Sequence, residues 1–379
     1  MHDGSYDIVM LGTFGLWRLG TLQARALSFA RELAARGYHC AIVTSPWDMP
    51  SERGVVEVRD DVLIVNTRSA SAATIPAVRQ QLDAVRQLRP RLVHLFKPRG
   101  FGGLAARRLL GRAPVIVDSD DWEGDGGWNR QGHYSLAQRR LFDWQERTLL
   151  RDADGVTAAS TLLEHRAIAL RGGSRGVWRL PNGLSPSWID TLANAREMSE
   201  NSPGPASEPP TVLLYSRFEE FEPAWPDRFA HALRAQCRAV RIIAVGGGGS
   251  REIEQLGYVA RHRLPDVLGR SSLAVFPYQD SIITRSKQSV KLLELMAAGC
   301  AVVASDVGDV ATVLGSAGRV VPGHDPVCFA SASAELLADA ETRRILGEAS
   351  RQRVREHFSI PTIVDDLVGV YAGYGLETR

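Results

Sequence analysis

Residues 6–44 read YDIVMLGTFGLWRLGTLQARALSFARELAARGYHCAIVT. Tyr6–Gly12 is an apolar run of strand length, and a loop carrying Gly12, Gly15 and Gly20 follows it. Gln23–Arg36 then places Leu27, Ala30, Leu33 and Ala34 at helical spacing, stops at Gly37, and gives way to the apolar His39–Thr44. Strand, glycine loop, helix, glycine stop and strand make a βαβ unit, which requires a parallel sheet covered by helices on both faces.

The alternation continues outward. Asp61–Asn66, Leu92–Phe96, Val115–Asp118 and Gly155–Ala158 read as strands, with helices at Ile75–Leu88 and Ser135–Leu150, and this half closes near Leu180-Pro181-Asn182-Gly183. Residues 193–210 are polar and proline-bearing and read as a linker. The pattern restarts with strands at Thr211–Tyr215, Val240–Val245 (running into Gly246–Gly249), Leu273–Phe276 and Ala301–Ser305. Helices are expected over Lys287–Ala298 and Ile360–Tyr374. The expected architecture is therefore α/β, with two doubly wound Rossmann-like domains facing a cleft. The first spans 1–192, the second 211–359, and 360–379 returns to pack on the first. In such sheets ligands bind beyond the C-terminal strand ends.

Bulk properties bound the function. A chain of 379 residues suits two domains, and a net charge of +2 gives no electrostatic case for nucleic acid. No apolar run reaches the ~18 residues of a membrane span, and the opening residues lack the zones of a signal peptide. Cys40, Cys237, Cys300 and Cys328 are far apart with no C-x-x-C, which reads as free thiols in a reducing cytoplasm. Lysine is scarce. Among 45 basic residues only Lys97, Lys287 and Lys291 are lysines, so each marks a candidate place for a compact ammonium.

Two of the three fall in SKQSVKLLELMAAG, residues 286–299. On one helix Lys287, Lys291 and Glu294 would share a face, and two lysines four apart repel by ~0.2–0.5 kcal/mol. The helix dipole also disfavours cations in the first turns. An anion bound at the N-terminus would relieve both, leaving Glu294 one turn deeper to accept from ribose hydroxyls.

KLLELMAAGCAVVASDVGDVATVL (291–314) closely resembles the nucleotide-binding core of the family 4 (group 1) glycosyltransferases, which have the two-domain GT-B fold. The resemblance takes in GTFGLWRLGTLQARALSFARELAARGYHCAIVTSP, LPNGLSPSW, VLLYSRFEE and HFSIPTIVDDLVGVYAGY, almost the whole chain in order. It implies transfer of a sugar from a nucleoside-diphosphate donor, UDP or GDP type, with retention at the anomeric carbon. Neither cofactor nor metal is implied. By the same resemblance Glu294 is the second glutamate of E-x7-E, Arg217 holds the diphosphate, and Gly12 and Gly15 approach the leaving phosphates. This sequence departs from the pattern in two places. Ser286 stands where the first glutamate belongs, and Glu222 where a second diphosphate cation belongs. Lys287 or Lys291 is the expected replacement for that cation, and Ser286 suggests an unusual donor hexose.

The remaining candidates lie in the first half. His94 and Lys97 sit at or just beyond the Leu92–Phe96 strand. In VDSDDWEGDGGWN (117–129) the family register puts Asp120 at a histidine and Asp121 at an aspartate near the reacting sugar. Carboxylates there serve as base or positioning groups. A D-x-D metal clamp belongs to a different fold, so the D-S-D reads as a strand end. Trp17, Trp122 and Trp128 in glycine-rich loops, with Glu123, are expected to bind the acceptor, since sugars and flat rings stack on aromatic faces. Arg107, Arg108, Arg112, Arg139 and Arg140 lack an adjacent apolar stripe, so peripheral membrane contact is not expected. The acceptor is expected to be a small molecule, as in secondary metabolism. A sugar-nucleotide epimerase of the same fold and a non-catalytic sugar-nucleotide-binding subunit are the alternatives. The first glycine loop lacks G-x-G-x-x-G, which disfavours a dinucleotide oxidoreductase. Oligomeric state is left open.

Overall fold

The computed structural model describes residues 5–17, 20–69, 74–132, 134–201, 209–217, 219–248 and 250–376. The chain forms two units, Met1–Asn182 with Ile360–Arg379 and Gly183–Ser359. The break falls at Asn182/Gly183, so residues 183–192 belong to the second unit and not to the first. Nor is 193–201 a linker. Pro186–Asn201 is a helix that buries Ile189, Leu192 and Ala193, its proline at a position where the missing N–H costs nothing. Residues 202–208 of the expected linker, and Gly249 of the glycine run, lie outside the described residues.

The first unit holds β1 (Ile8–Leu11), β2 (Cys40–Thr44), β3 (Val56–Arg59), β4 (Val62–Asn66), β5 (Leu92–Phe96), β6 (Val115–Ser119), β7 (Gly155–Ala158) and β8 (Val177–Arg179). Their order is β3-β4-β2-β1-β5-β6-β7-β8, parallel throughout except for β3, which is antiparallel to β4. The short β3 and β8 carry no apolar run and went unread in the sequence. β1, β2, β5, β6 and β7 are buried along their whole length, as strands covered on both faces must be. The helix expected at 23–36 begins as a π-helical stretch, Leu22–Leu27, and continues as Ser28–Ala35. Its face joins Ile8, Met10 and Phe96 in one core, and Ile363, Val364, Leu367 and Tyr371 of the final helix, Ile360–Ala372, complete it. Each such side chain contributes about 1.5–3 kcal/mol of burial.

The second unit holds β9 (Thr211–Tyr215), β10 (Arg241–Val245), β11 (Glu254–Gly257), β12 (Leu273–Phe276), β13 (Ala301–Ser305) and β14 (Arg319–Val321), ordered β11-β10-β9-β12-β13-β14 and all parallel. The helix expected over 287–298 begins three residues later, at Val290, and a separate short helix precedes it. Ile282–Ser286 ends, Lys287–Ser289 runs extended, and Val290–Ala297 begins afresh. In each sheet the strand order reverses once, between β1 and β5 and between β9 and β12. The C-terminal ends of those strands are where an open α/β sheet offers a crevice.

Candidate active site

In the first unit the reversal point gathers charge. Lys97 follows β5 with φ +64, a left-handed conformation that costs a side-chain-bearing residue energy. Its Nζ lies 2.7 Å from Asp121 Oδ2, 2.8 Å from Glu123 Oε1 and 3.5 Å from Asp120 Oδ1. Burial pulls the Lys97 ammonium towards neutrality, but the three carboxylates outweigh it and hold its pKa well above the ordinary lysine value. The same three residues can bring one oxygen each within 4.8 Å of the others, close enough to share a cation, and Lys97 brings an ammonium into contact with all three. Asp120 accepts from Thr21 Oγ1 at 2.6 Å, while its buried Oδ1 has no hydrogen-bond partner. Burial pushes the Asp120 carboxyl up to about 6, Lys97 pulling it down and Asp121 and Asp118 pushing it up. Glu123 is fully buried between Lys97 and Arg99, whose guanidinium lies 2.9 Å away, so it is a scaffold anion and not the acceptor contact expected.

The D-S-D splits between two roles. Asp118, the last residue but one of β6, receives both Nε (2.9 Å) and Nη2 (2.7 Å) of buried Arg25, and Thr157 Oγ1 at 2.7 Å. Arg25 goes on to Leu180 O, Pro181 O and Asn182 Oδ1 at 3.0, 3.1 and 2.9 Å, closing the unit. Asp120 turns towards Lys97 instead.

The acidic loop is pinned from behind by Glu146, which accepts the Glu123 N–H at 2.8 Å and the Gly124 N–H at 2.9 Å and pairs with Arg166. Arg166 stacks 3.5 Å from the Trp122 ring centroid, and Trp122 Nε1 donates to Asp125 O at 2.9 Å. Trp122 and Trp128 are half-buried, and Trp128 opens the short helix Trp128–Gln131. Trp17 is half-buried against the core with Arg59 4.4 Å over its ring.

Three more expectations are corrected here. His94 points into the core, fully buried, with Nδ1 2.7 Å from Tyr371 Oη and Nε2 3.2 Å from Thr157 Oγ1. Burial lowers its pKa to about 4, so it is a neutral docking post for the final helix and no catalyst. In the glycine loop, the N–H groups of Gly12 and Gly15 are already taken. Gly12 N–H goes to Val43 O at 2.9 Å, Gly15 N–H to Asp48 Oδ1 at 2.8 Å, and the Leu16 and Trp17 N–H groups to Glu52 at 2.8 and 3.0 Å. Here carboxylates of this chain take the place expected of phosphates, although the loop still packs closely. A Cβ on Gly12 would meet Leu22 at 2.5 Å, and one on Gly15 would meet Met49 at 2.4 Å.

In the second unit the residues after β9 meet the helix Val290–Ala297. Glu294, 5% exposed, accepts Tyr215 Oη–H at 2.8 Å and Trp188 Nε1–H at 3.0 Å, and burial raises its pKa. Arg261 lies 4.2 Å over the Trp188 ring. Lys287 Nζ donates to Glu220 Oε1 at 2.7 Å, and Glu220 Oε2 accepts Ser216 Oγ–H at 2.5 Å and Arg217 N–H at 3.3 Å. Burial alone would raise the Glu220 carboxyl, but Lys287 and Lys291 bring it down to about 2. Lys291 is different. Its Nζ stands 5.5 Å from the Tyr215 ring centroid, and among the described residues no carboxylate lies within ion-pair distance of it. Burial takes its pKa down to about 8, with Arg217 and Lys287 adding repulsion. Arg217 is exposed. Ser286 is the third correction: fully buried, it donates to Ile283 O at 2.9 Å, so it caps its own helix and does not replace a sugar contact.

Lys97 thus joins Asp120 and Asp121 in one cluster, and Arg217, Lys287, Lys291 and Glu294 form another. The sequence reading missed Glu220, Tyr215 and Trp188 in the second cluster, and Thr21, Arg99, Glu146 and Arg166 in and behind the first. Only Glu220 carried a signal, the acidic run Glu219-Glu220 beside Arg217.

Two parallel-sheet α/β units, each carrying charge at its reversal point, are the GT-B arrangement. A sucrose-phosphate synthase from Thermosynechococcus elongatus shares that fold with a TM-score of 0.73 at 20% identity, covering 97% of this chain and 98% of that one. Anabaena HepE in complex with UDP and glucose does so at 0.67 and 14%, covering 97% and 99%. Residues 20–183 match the Glycosyl transferase 4-like domain and residues 209–339 the Glycosyl transferases group 1. The chain belongs to the family 4 (group 1) glycosyltransferases. A D-inositol 3-phosphate glycosyltransferase of Salinispora tropica is 32% identical over 172 residues, which cover 40% of this chain and 36% of that protein. The chain matches about a third to a half of the length of its curated relatives. Among the described residues no helix is long and apolar enough to cross a membrane.

Proposed function

We propose that this glycosyltransferase moves a sugar from a nucleoside-diphosphate sugar, of UDP or GDP type, to a small-molecule acceptor, with retention and without metal. The observation that carries the reading is Lys291, a half-buried ammonium with no ion pair among the described residues, gathered with Lys287 and Arg217 beyond β9. Three cations against the carboxylates of Glu220 and Glu294 leave a net positive field that a diphosphate would fill. The departing diphosphate takes the C–O bonding pair with it, and fixed cations stabilise that developing charge. Glu294, Tyr215 and Trp188 form a polar patch one turn deeper, suited to ribose hydroxyls. HepE, of the same fold, was solved with UDP and glucose, and the Salinispora relative is named for an inositol phosphate. Both fit a UDP-type donor and a small hydroxylated acceptor.

The metal-free reading rests on Lys97, whose ammonium already occupies the space between the three acidic side chains that could otherwise share a cation. Asp121, the least buried of the three, is placed to hold the acceptor hydroxyl. Four unpaired cysteines suit a reducing cytoplasm. The test is calorimetric titration with UDP and GDP, with and without EDTA. Wild type binds one of them regardless of EDTA, and Lys291→Ala weakens binding at least tenfold. Wild type that binds neither nucleotide overturns the donor assignment; binding that EDTA abolishes overturns the metal-free one.

A further inference from the structure

The eight-stranded sheet ends on one side at β3, and there the chain shows bare apolar surface. Val56 is 62% exposed and Val58 70%, and among the described residues β4 is the only strand beside them. The register decides which backbone groups are spare. Asn66 N–H donates to Val55 O at 3.0 Å, and Asp60 and Asp61 make a two-residue turn with φ +50 and +60, the geometry that matches strand twist. Hydrogen-bonded pairs alternate along an antiparallel ladder. Val55, Glu57 and Arg59 therefore face β4, while Val56 and Val58 turn N–H and C=O outward.

An outward edge of this kind is a template for another strand, and its charges select which. Among the described residues neither Glu57 nor Arg59 has an ion pair, although Arg59 rests over Trp17. Two-fold antiparallel pairing about Glu57 would set that carboxylate against its own copy. Pairing about Val58 sets Glu57 opposite Arg59 of the second copy twice over, with valine against valine on the other face. Opposite charges across a ladder stabilise and like charges destabilise.

We propose that β3 is an association edge at which two copies of this chain pair antiparallel about Val58. The contact is short, so the dimer belongs to the weak, transient class. Sedimentation velocity over low to high micromolar concentration tests it. Wild type moves from 41.4 kDa towards twice that mass as concentration rises. Val58→Pro removes an outward N–H without touching the ladder to β4, and Val58→Lys places like charges at the axis; both stay monomeric with wild-type glycosyl transfer. Glu57→Arg weakens association at least tenfold, and the Glu57→Arg/Arg59→Glu swap restores it, so the proposal stays testable should the proline variant fail to fold. Wild type that remains at the monomer mass overturns the proposal. So does association that survives both Val58 variants with unchanged circular dichroism, or a charge swap that fails to rescue a folded protein.

Discussion

All three lysines of this chain stand at reversal-point clusters, Lys97 beyond β5, Lys287 just ahead of the helix Val290–Ala297 and Lys291 in its first turn. That much was legible, because scarcity singled them out. Their partners were not. Lys287 meets Glu220 across 67 positions of sequence, and no local pattern announces such a pairing. Glu220 competes with any incoming anion for Lys287, so Glu220→Gln should lower the dissociation constant for UDP several-fold in calorimetric titration. A rise would instead make Glu220 the group that holds the lysine ready. Asp118 is the opposite kind of residue. Its buried pairing with Arg25 gives up hydration on both sides, and breaking such a pair from one side costs about 3–5 kcal/mol. Asp118→Asn should lower denaturation stability by that amount and leave UDP affinity unchanged.

At the scale of elements, long apolar strands and glycine-stopped helices were readable, since their periodicity is local. β3, β8, β11 and β14 are three- or four-residue strands, exposed or half-buried at every position but Val321, and too short to show a period. The helix break at Lys287–Ser289 was hidden for another reason: nothing in the KQS triplet forbids a helix, and tertiary packing, with Lys287 drawn to Glu220, overrides the propensity. The acidic loop depends on a helix residue the sequence did not flag. Burial pushes Glu146 up to about 7 from an ordinary 4.5, against Arg166 and the N–H groups of Glu123 and Gly124. A carboxyl raised on folding contributes stability that is complete below pH ~4.5 and is lost as pH rises through about 7. Melting temperature should therefore fall more steeply between about pH 4.5 and 7 in wild type than in Glu146→Gln. Equal slopes would remove Glu146 as the source.

At the scale of the whole molecule, the return of the last helix to the first unit is what the core of that unit requires. Ile360, Ile363, Val364, Leu367 and Tyr371 are all buried in it, Arg36 reaches Asp365 at 2.6 Å, and Tyr371 meets His94. Leu367→Ala should cost about 2–5 kcal/mol, the range for emptying a core leucine, read from chemical denaturation. Removal of 360–379 should leave the first unit unable to protect its amides from hydrogen exchange while the second retains its protection.

That last helix also imposes an order of events. The ribosome makes residues 1–182 first and the helix that seals their core last, with the entire second unit synthesised between. At roughly 5–20 residues per second the interval is roughly ten seconds to half a minute. During it a nearly complete sheet emerges with the seat of its final helix, lined by Leu33 and Phe96, open to water. The second unit can finish folding while the first waits, so the nascent chain passes through a stage when chaperone capture competes with its own C-terminus for one apolar surface.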